Sequence, residues 1–312
     1  MSARVVVVVA VALALSACWV PPTSIPLDGP APFDPTRALD DEGAEGGVEG
    51  GEPSEVALVF GVTPFVTPER QAPWLARLET YLSRTVGVPV TTRVSETFED
   101  AIDALDDGSF DVALLSPFTY VTARARIPTL HALATAVAHG SATYASYLVV
   151  ERESEIRTVS DVRGKRLGLV DPLSTAGHVL PRAWLARHGI DIDTDVVLSW
   201  RGSHDAAYAA LVAGAIDVAA LSSDTLVNDD ALGIAGPVRV LAKTGRVPCD
   251  ALVARPGLSP AMLARVRRAF LRLSIHDEEG RAILKDDNLI DGFMPIPPGH
   301  YDSVARAAED AQ

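Results

Sequence analysis

From Glu55 onward the chain alternates two kinds of apolar pattern. Short runs of β-branched and aliphatic residues, Val56 to Val62, Val88 to Val94 and Phe110 to Leu115, read as buried strands. Between them, Ala72 to Thr85 and Phe98 to Leu105 carry apolar residues at helical spacing. Strands separated by helices and short loops predict an α/β fold with parallel strands.

The pattern also repeats. Ala101, Ala104, Leu105, Gly108, Asp111, Val112, Ala113 and Ser116 recur, at one constant offset, as Ala207, Ala210, Leu211, Gly214, Asp217, Val218, Ala219 and Ser222. Upstream, Trp74-Leu75-Ala76-Arg77 recurs as Trp184-Leu185-Ala186-Arg187. Each copy reads as a helix stopped by glycine, then a strand that begins at aspartate and ends at serine. Two similar α/β lobes follow. Ligands of open α/β sheets sit beyond the carboxyl ends of the strands. Phe98 and His204 hold matching positions at helix starts, and Ser116 and Ser222 at strand ends, so all four are expected at one cleft between the lobes.

Before Glu55 neither period appears. Arg4 precedes an unbroken apolar run, Val5 to Leu15, which suits an export signal and is too short to span a bilayer as a helix. The Leu15-Ser16-Ala17-Cys18 that follows resembles a bacterial lipobox, making residues 1–18 a lipoprotein signal peptide and Cys18 its lipidated residue. Cys249 is then the one remaining cysteine, and no intrachain disulfide is expected. Residues 19–53 hold eight acidic residues against Arg37, half of the formal charge of −14, with few large apolar groups. Such a segment cannot build a core and reads as a disordered acidic tether. Basic residues elsewhere are scattered, which excludes a nucleic-acid footprint. With 48% hydrophobic residues, the rest of the 312-residue chain can bury a large core.

The densest candidate chemistry lies at Asp171-Pro-Leu-Ser-Thr-Ala-Gly177. Lys165 to Val170 supplies a strand, Pro172 ends it, and Ser174 or Thr175 can N-cap the helix carrying Trp184 and Leu185. Pro181 requires that this helix begin near Gly177 or His178. Free N–H groups at such a terminus attract an anion, the hydroxyls add donors, and Gly177 removes a side chain that would hold the ligand off. The alternative is a plain N-cap facing water.

Asp161-Val-Arg-Gly-Lys165, Gly168 to Gly177 with Val179-Leu-Pro181, Gly202-Ser-His-Asp205, Asp217 to Asp224 and Val247-Pro-Cys-Asp250 together carry a resemblance. From about Val56 to Tyr301 the chain resembles the phosphonate-binding subunits of bacterial ABC transporters, a group that includes phosphite and phosphate binders. The resemblance implies a two-lobed, hinged fold of the type II periplasmic-binding-protein kind. It also implies that Ser174, Thr175 and His204 take the anion and Tyr144 lines the site. Residues matching Asp224 and Asp250 hold the ammonium of aminophosphonates in some members; here they are ammonium ligands or else hinge and turn residues. Two departures stand out: Ala176 replaces a third hydroxyl, leaving only its N–H, and Phe98 replaces a tyrosine.

Ser174, His204 and Asp224 could be arranged as nucleophile, base and orienter, but no G-x-S-x-G elbow is present. The seven histidines lack metal-ligand spacing and no G-x-G-x-x-G follows a strand, so no enzyme, metal or cofactor is expected. The expectation is a monomeric, exported, lipid-anchored solute-binding protein, on the periplasmic side in a Gram-negative cell, that hands a phosphorus oxyanion to an ABC permease. A sensor that closes on another small anion and signals to a membrane partner is the alternative. Its first lobe would comprise 54–145 plus 252–312 and its second 146–251. The hinge would fall at the strands Ala145 to Glu151 and Cys249 to Arg255.

Overall fold

The computed structural model describes residues 57–227, 236–284 and 290–309; the expected signal peptide with Cys18, and the tether 19–53, lie outside them. The chain first builds β1 (Leu58–Val62), α1 (Pro68–Val86), β2 (Val90–Val94), α2 (Phe98–Asp107), β3 (Val112–Leu115), α3 (Pro117–Arg126) and β4 (His131–Ala138). It then forms a second sheet from β5 (Thr143–Glu151), β6 (Arg166–Leu169), β7 (Val197–Trp200), β8 (Val218–Ser222) and β9 (Val238–Pro248). Between these strands lie α4 (Leu180–Arg187), α5 (His204–Val212) and the short α6 (Ser223–Val227). The chain returns to the first sheet with β10 (Ala251–Ala254) and, after α7 (Pro260–Arg272) and α8 (Glu278–Leu284), β11 (Ile290–Met294); α9 (Asp302–Glu309) follows.

The sheet orders are β11-β4-β10-β3-β1-β2 and β7-β6-β8-β5-β9. In each, three parallel strands (β2-β1-β3 and β7-β6-β8) are followed by one antiparallel strand, β10 or β5. The sequence repeat is thus a repeat of topology, and its aspartates have matching work. Asp111 Oδ2 accepts the Val59 N–H at 2.8 Å, and Asp217 Oδ2 accepts the Arg166 N–H at 2.8 Å. Each aspartate at the head of one strand therefore ties down the adjacent parallel strand, β1 or β6. Each also holds an arginine, Arg255 in one lobe and Arg166 in the other.

The crossings between sheets are tighter than the sequence suggests. Thr143 and Tyr144 already pair with Pro248 and Val247 in the second sheet, so the chain crosses at 139–142 and returns at 249–250. The strands expected to form the hinge, from Ala145 and from Cys249, are each embedded in a single sheet beyond these short links. The two links are joined by Cys249 N–H to Ala142 C=O at 2.7 Å. The C-terminal stretch, expected in the first lobe, touches both, with α9 packed against α3 as well as α4. Tyr301 is buried in the first lobe, whereas Ala307 and Ala308 of α9 pack with Ala176, Val179, Leu180 and Val247 of the second.

Candidate functional site

Thr97 and Ser203 N-cap the matching helices, α2 and α5, each accepting a backbone N–H three residues on. Phe98 and His204 therefore open their helices as the repeat predicts. Ser116 and Ser222 end their strands, and each hydroxyl meets a threonine three residues later, Thr119 at 2.8 Å and Thr225 at 2.9 Å. This Ser-x-x-Thr recurrence is written in the sequence and extends the repeat by one more position.

A cavity of about 90 Å³ lies where the lobes meet. That volume admits a few waters or a ligand of a few heavy atoms. Phe65, Val66 and Arg70 line it from the first lobe, and His204, Ser222, Asp224 and Thr225 from the second; Tyr144, Cys249 and Asp250 lie at or beside the crossings. Five of the sequence-designated residues, Tyr144, His204, Ser222, Asp224 and Asp250, are thus brought together although 106 positions of sequence separate the first from the last.

The other five lie off the cavity wall, in the seam between lobes. Ser174 Oγ accepts the Gly177 N–H at 3.1 Å, as an N-cap does. Thr175 Oγ1 accepts the Phe118 N–H, in the first turn of α3, at 2.8 Å. Of the hydrogen-bonded hydroxyl pair Ser116 and Thr119, one donates to the other and the second reaches Leu173 C=O. Ala176 packs behind Tyr144, and its carbonyl takes the Ser146 hydroxyl at 2.8 Å. Phe98 is buried in the second lobe's apolar cluster with Val170, Ala207 and Tyr147. The hydroxyl turn and the start of α3 therefore meet head to head. Ser174, His204 and Asp224 do not form a triad here, because Ser174 is buried outside the cavity and its hydroxyl serves Gly177.

The local geometry of the turn also revises the role of Gly177. Residues Thr175–Val179 form one π-helical turn before α4, with Val179 N–H bonded to Ser174 C=O. Pro181 has no N–H to offer Gly177 C=O, which instead accepts the Val170 N–H at 3.1 Å. A Cβ on Gly177 would lie 2.4 Å from Val170 Cγ2 and 2.8 Å from Ser174 Oγ. Glycine is required here for packing against Val170, the residue after β6, and not to make room for a ligand.

The cavity is electrically uneven. The Ser222 N–H donates to His204 Nδ1 at 3.3 Å, so a neutral ring carries its proton on Nε2. Burial lowers the imidazole to about 4, which keeps it neutral and leaves Nε2–H as a donor. Asp224 and Asp250 retain accessible surface only partly, as half-buried groups on the cavity wall. Burial and then the Asp224 charge push the Asp250 carboxyl up to about 7. Burial likewise raises Asp224, against a lowering pull from His139. Burial, with Asp250 and Asp224 adding to it, holds the Tyr144 phenol well above its ordinary value, so it is a neutral hydrogen-bonding group. Sequence reasoning missed Arg70, Phe65 and Thr225. Thr225 had its Ser-x-x-Thr signal; Arg70 had none, since the Asp205 it meets is far away in the chain.

Comparison with known proteins decides the family. The model of the ABC transporter phosphonate periplasmic substrate-binding protein family matches residues 60–301. The chain belongs to this family. The phosphate-import protein PhnD of Mycolicibacterium smegmatis is 24% identical over 249 residues, covering 73% of this chain and 77% of that protein. The phosphonates-binding periplasmic protein of Escherichia coli is 25% identical over 245 residues, covering 75% and 71%. PhnD1 of Prochlorococcus marinus, solved in complex with methylphosphonate, has a TM-score of 0.73 at 19% identity, covering 81% of this chain and 97% of that one. This substrate-binding protein accordingly has the two-lobed type II fold, and membership of a periplasmic family places its work outside the cytoplasm. No helix among the described residues is long and apolar enough to cross a membrane.

Proposed function

We propose that the protein captures a phosphonate bearing an amine and delivers it to an ABC permease, held near the membrane by a lipid on Cys18 and the 19–53 tether. One observation carries this reading: one small cavity sets the neutral His204 donor beside two carboxylates, Asp224 and Asp250, with the charge of Asp224 raising Asp250. An ammonium would satisfy Asp224 and Asp250 together and favour their ionised forms. The oxyanion would take His204 Nε2–H and Tyr144, and, as the lobes part at their short links, the Phe118 N–H and Thr175 hydroxyl that otherwise bond each other. Ser174, as N-cap, shapes that turn. Phosphate and methylphosphonate, named for two relatives, support a phosphorus oxyanion as the class.

A thermal-shift panel tests this with 2-aminoethylphosphonate, methylphosphonate, phosphite, phosphate and alkylsulfonates. The amine-bearing phosphonate should stabilise most, by roughly 2.7 kcal/mol at 100 times its dissociation constant. His204→Ala should reduce every phosphorus response, whereas Asp250→Asn should reduce only that of the amine-bearing ligand. Silence across the phosphorus compounds, or a larger response to sulfonates, overturns the proposal.

A further inference from the structure

Arg70 stands in the first turn of α1 and is the one lysine or arginine among the described residues of the cavity wall. Its Nη1 donates to Asp205 Oδ1 at 2.7 Å, with 30% of the arginine side chain and 16% of the aspartate accessible. Asp205 follows His204 in the first turn of α5, and its other oxygen receives the Thr67 N–H at 3.5 Å. His204 N–H meanwhile donates to Phe65 C=O at 3.1 Å. The segment 65–70 of one lobe is therefore fastened to the start of α5 in the other, beside the imidazole donor.

An anion entering this cavity otherwise meets mainly negative charge, from Asp224 and Asp250. Hydroxyl and imidazole donors are neutral and leave that repulsion uncompensated. A guanidinium presents five N–H groups in a plane, and its affinity for phosphorus oxyanions comes from making two charge-assisted bonds at once. Asp205 engages Arg70 through Nη1, and the exposed fraction of Arg70 leaves it open to a guest. We propose that Arg70 is a ligand-binding residue whose guanidinium takes the oxyanion, while Asp205 holds the side chain in place across the lobes. The inference rests on the phosphonate reading above and gives it a charge partner that the hydroxyl turn lacks. It also links recognition to closure, since the same side chain touches guest and opposite lobe.

Isothermal titration with methylphosphonate and 2-aminoethylphosphonate separates this role from that of a simple latch. Arg70→Gln should weaken both ligands roughly 10- to 100-fold, the range for losing a hydrogen bond to a charged group. Arg70→Lys should recover part of that loss, and it serves as the working variant if the glutamine form does not fold. Asp205→Asn should stay within about fivefold of the parent, because it removes only a partly exposed ion pair and leaves the guanidinium free for the anion. Equal losses in Arg70→Gln and Asp205→Asn would make Arg70 a latch only, and unchanged binding in Arg70→Gln would remove it from the site; either overturns the inference while leaving the phosphonate reading intact. Failure of the parent protein to bind either compound overturns the reading itself.

Discussion

Asp250 illustrates how one residue's neighbours give it a function that its own identity does not. A carboxyl held at about 7 by burial and by Asp224 sits far above its value in an unfolded chain. A group raised in this way stabilises the fold below about pH 4 and progressively loses that contribution as pH climbs through about 7. Asp250→Asn should therefore be more stable than the parent at pH 8, by about 2 kcal/mol, with the gap narrowing at pH 5. Thermal unfolding at the two values checks this; a parent that is the more stable at pH 8 would show a carboxylate already paired. An amine-bearing ligand should shrink the same gap, because an ammonium supplies the missing positive charge. His204 has the opposite sign: its lowered value means stability present above about pH 6.5 and lost as pH falls toward about 4.

At the scale of an element, the Ser174–Gly177 turn owes its shape to two residues that lack something. Pro181 lacks an N–H, so the Gly177 carbonyl is released to Val170 just after β6, and Gly177 lacks a Cβ, so Val170 can approach. Gly177→Ala should cost about 1–3 kcal/mol through forced displacement of Val170. The urea midpoint reports the loss; an unchanged midpoint would mean that the strand and turn yield freely. The sequence marked this turn as a helix start capped by Ser174 or Thr175, and Ser174 takes that place. It did not reveal that the Thr175 hydroxyl would face the first turn of α3, because Phe118 belongs to the other lobe and the pairing has no local signature.

Over the whole molecule, two short links join the lobes, and Tyr301 braces one of them. Tyr301 Oη lies 3.0 Å from both Cys249 C=O and Thr135 Oγ1, and the Thr135 hydroxyl is within reach of the carbonyls of Cys249 and Asp250, so the two hydroxyls share their protons among these acceptors. Tyr301→Phe should lower stability by about 1–2 kcal/mol, since Cys249 C=O keeps its Thr135 donor; a calorimetric scan measures it, and an unaltered transition would show the link to be held without Tyr301. The α/β class, the repeated helix–strand unit with its glycine stop and aspartate head, and a hydroxyl cap at Ser174 or Thr175 were all legible in the sequence. Those features depend on local backbone preferences and on apolar periodicity, which neighbouring residues determine. Tertiary structure alone decided that Tyr144, His204, Ser222, Asp224 and Asp250 share a cavity, that Phe98 fills the opposite lobe's core, and that Arg70 meets Asp205. These placements depend on how two separately patterned lobes meet, and contacts between distant stretches leave no periodicity in either one.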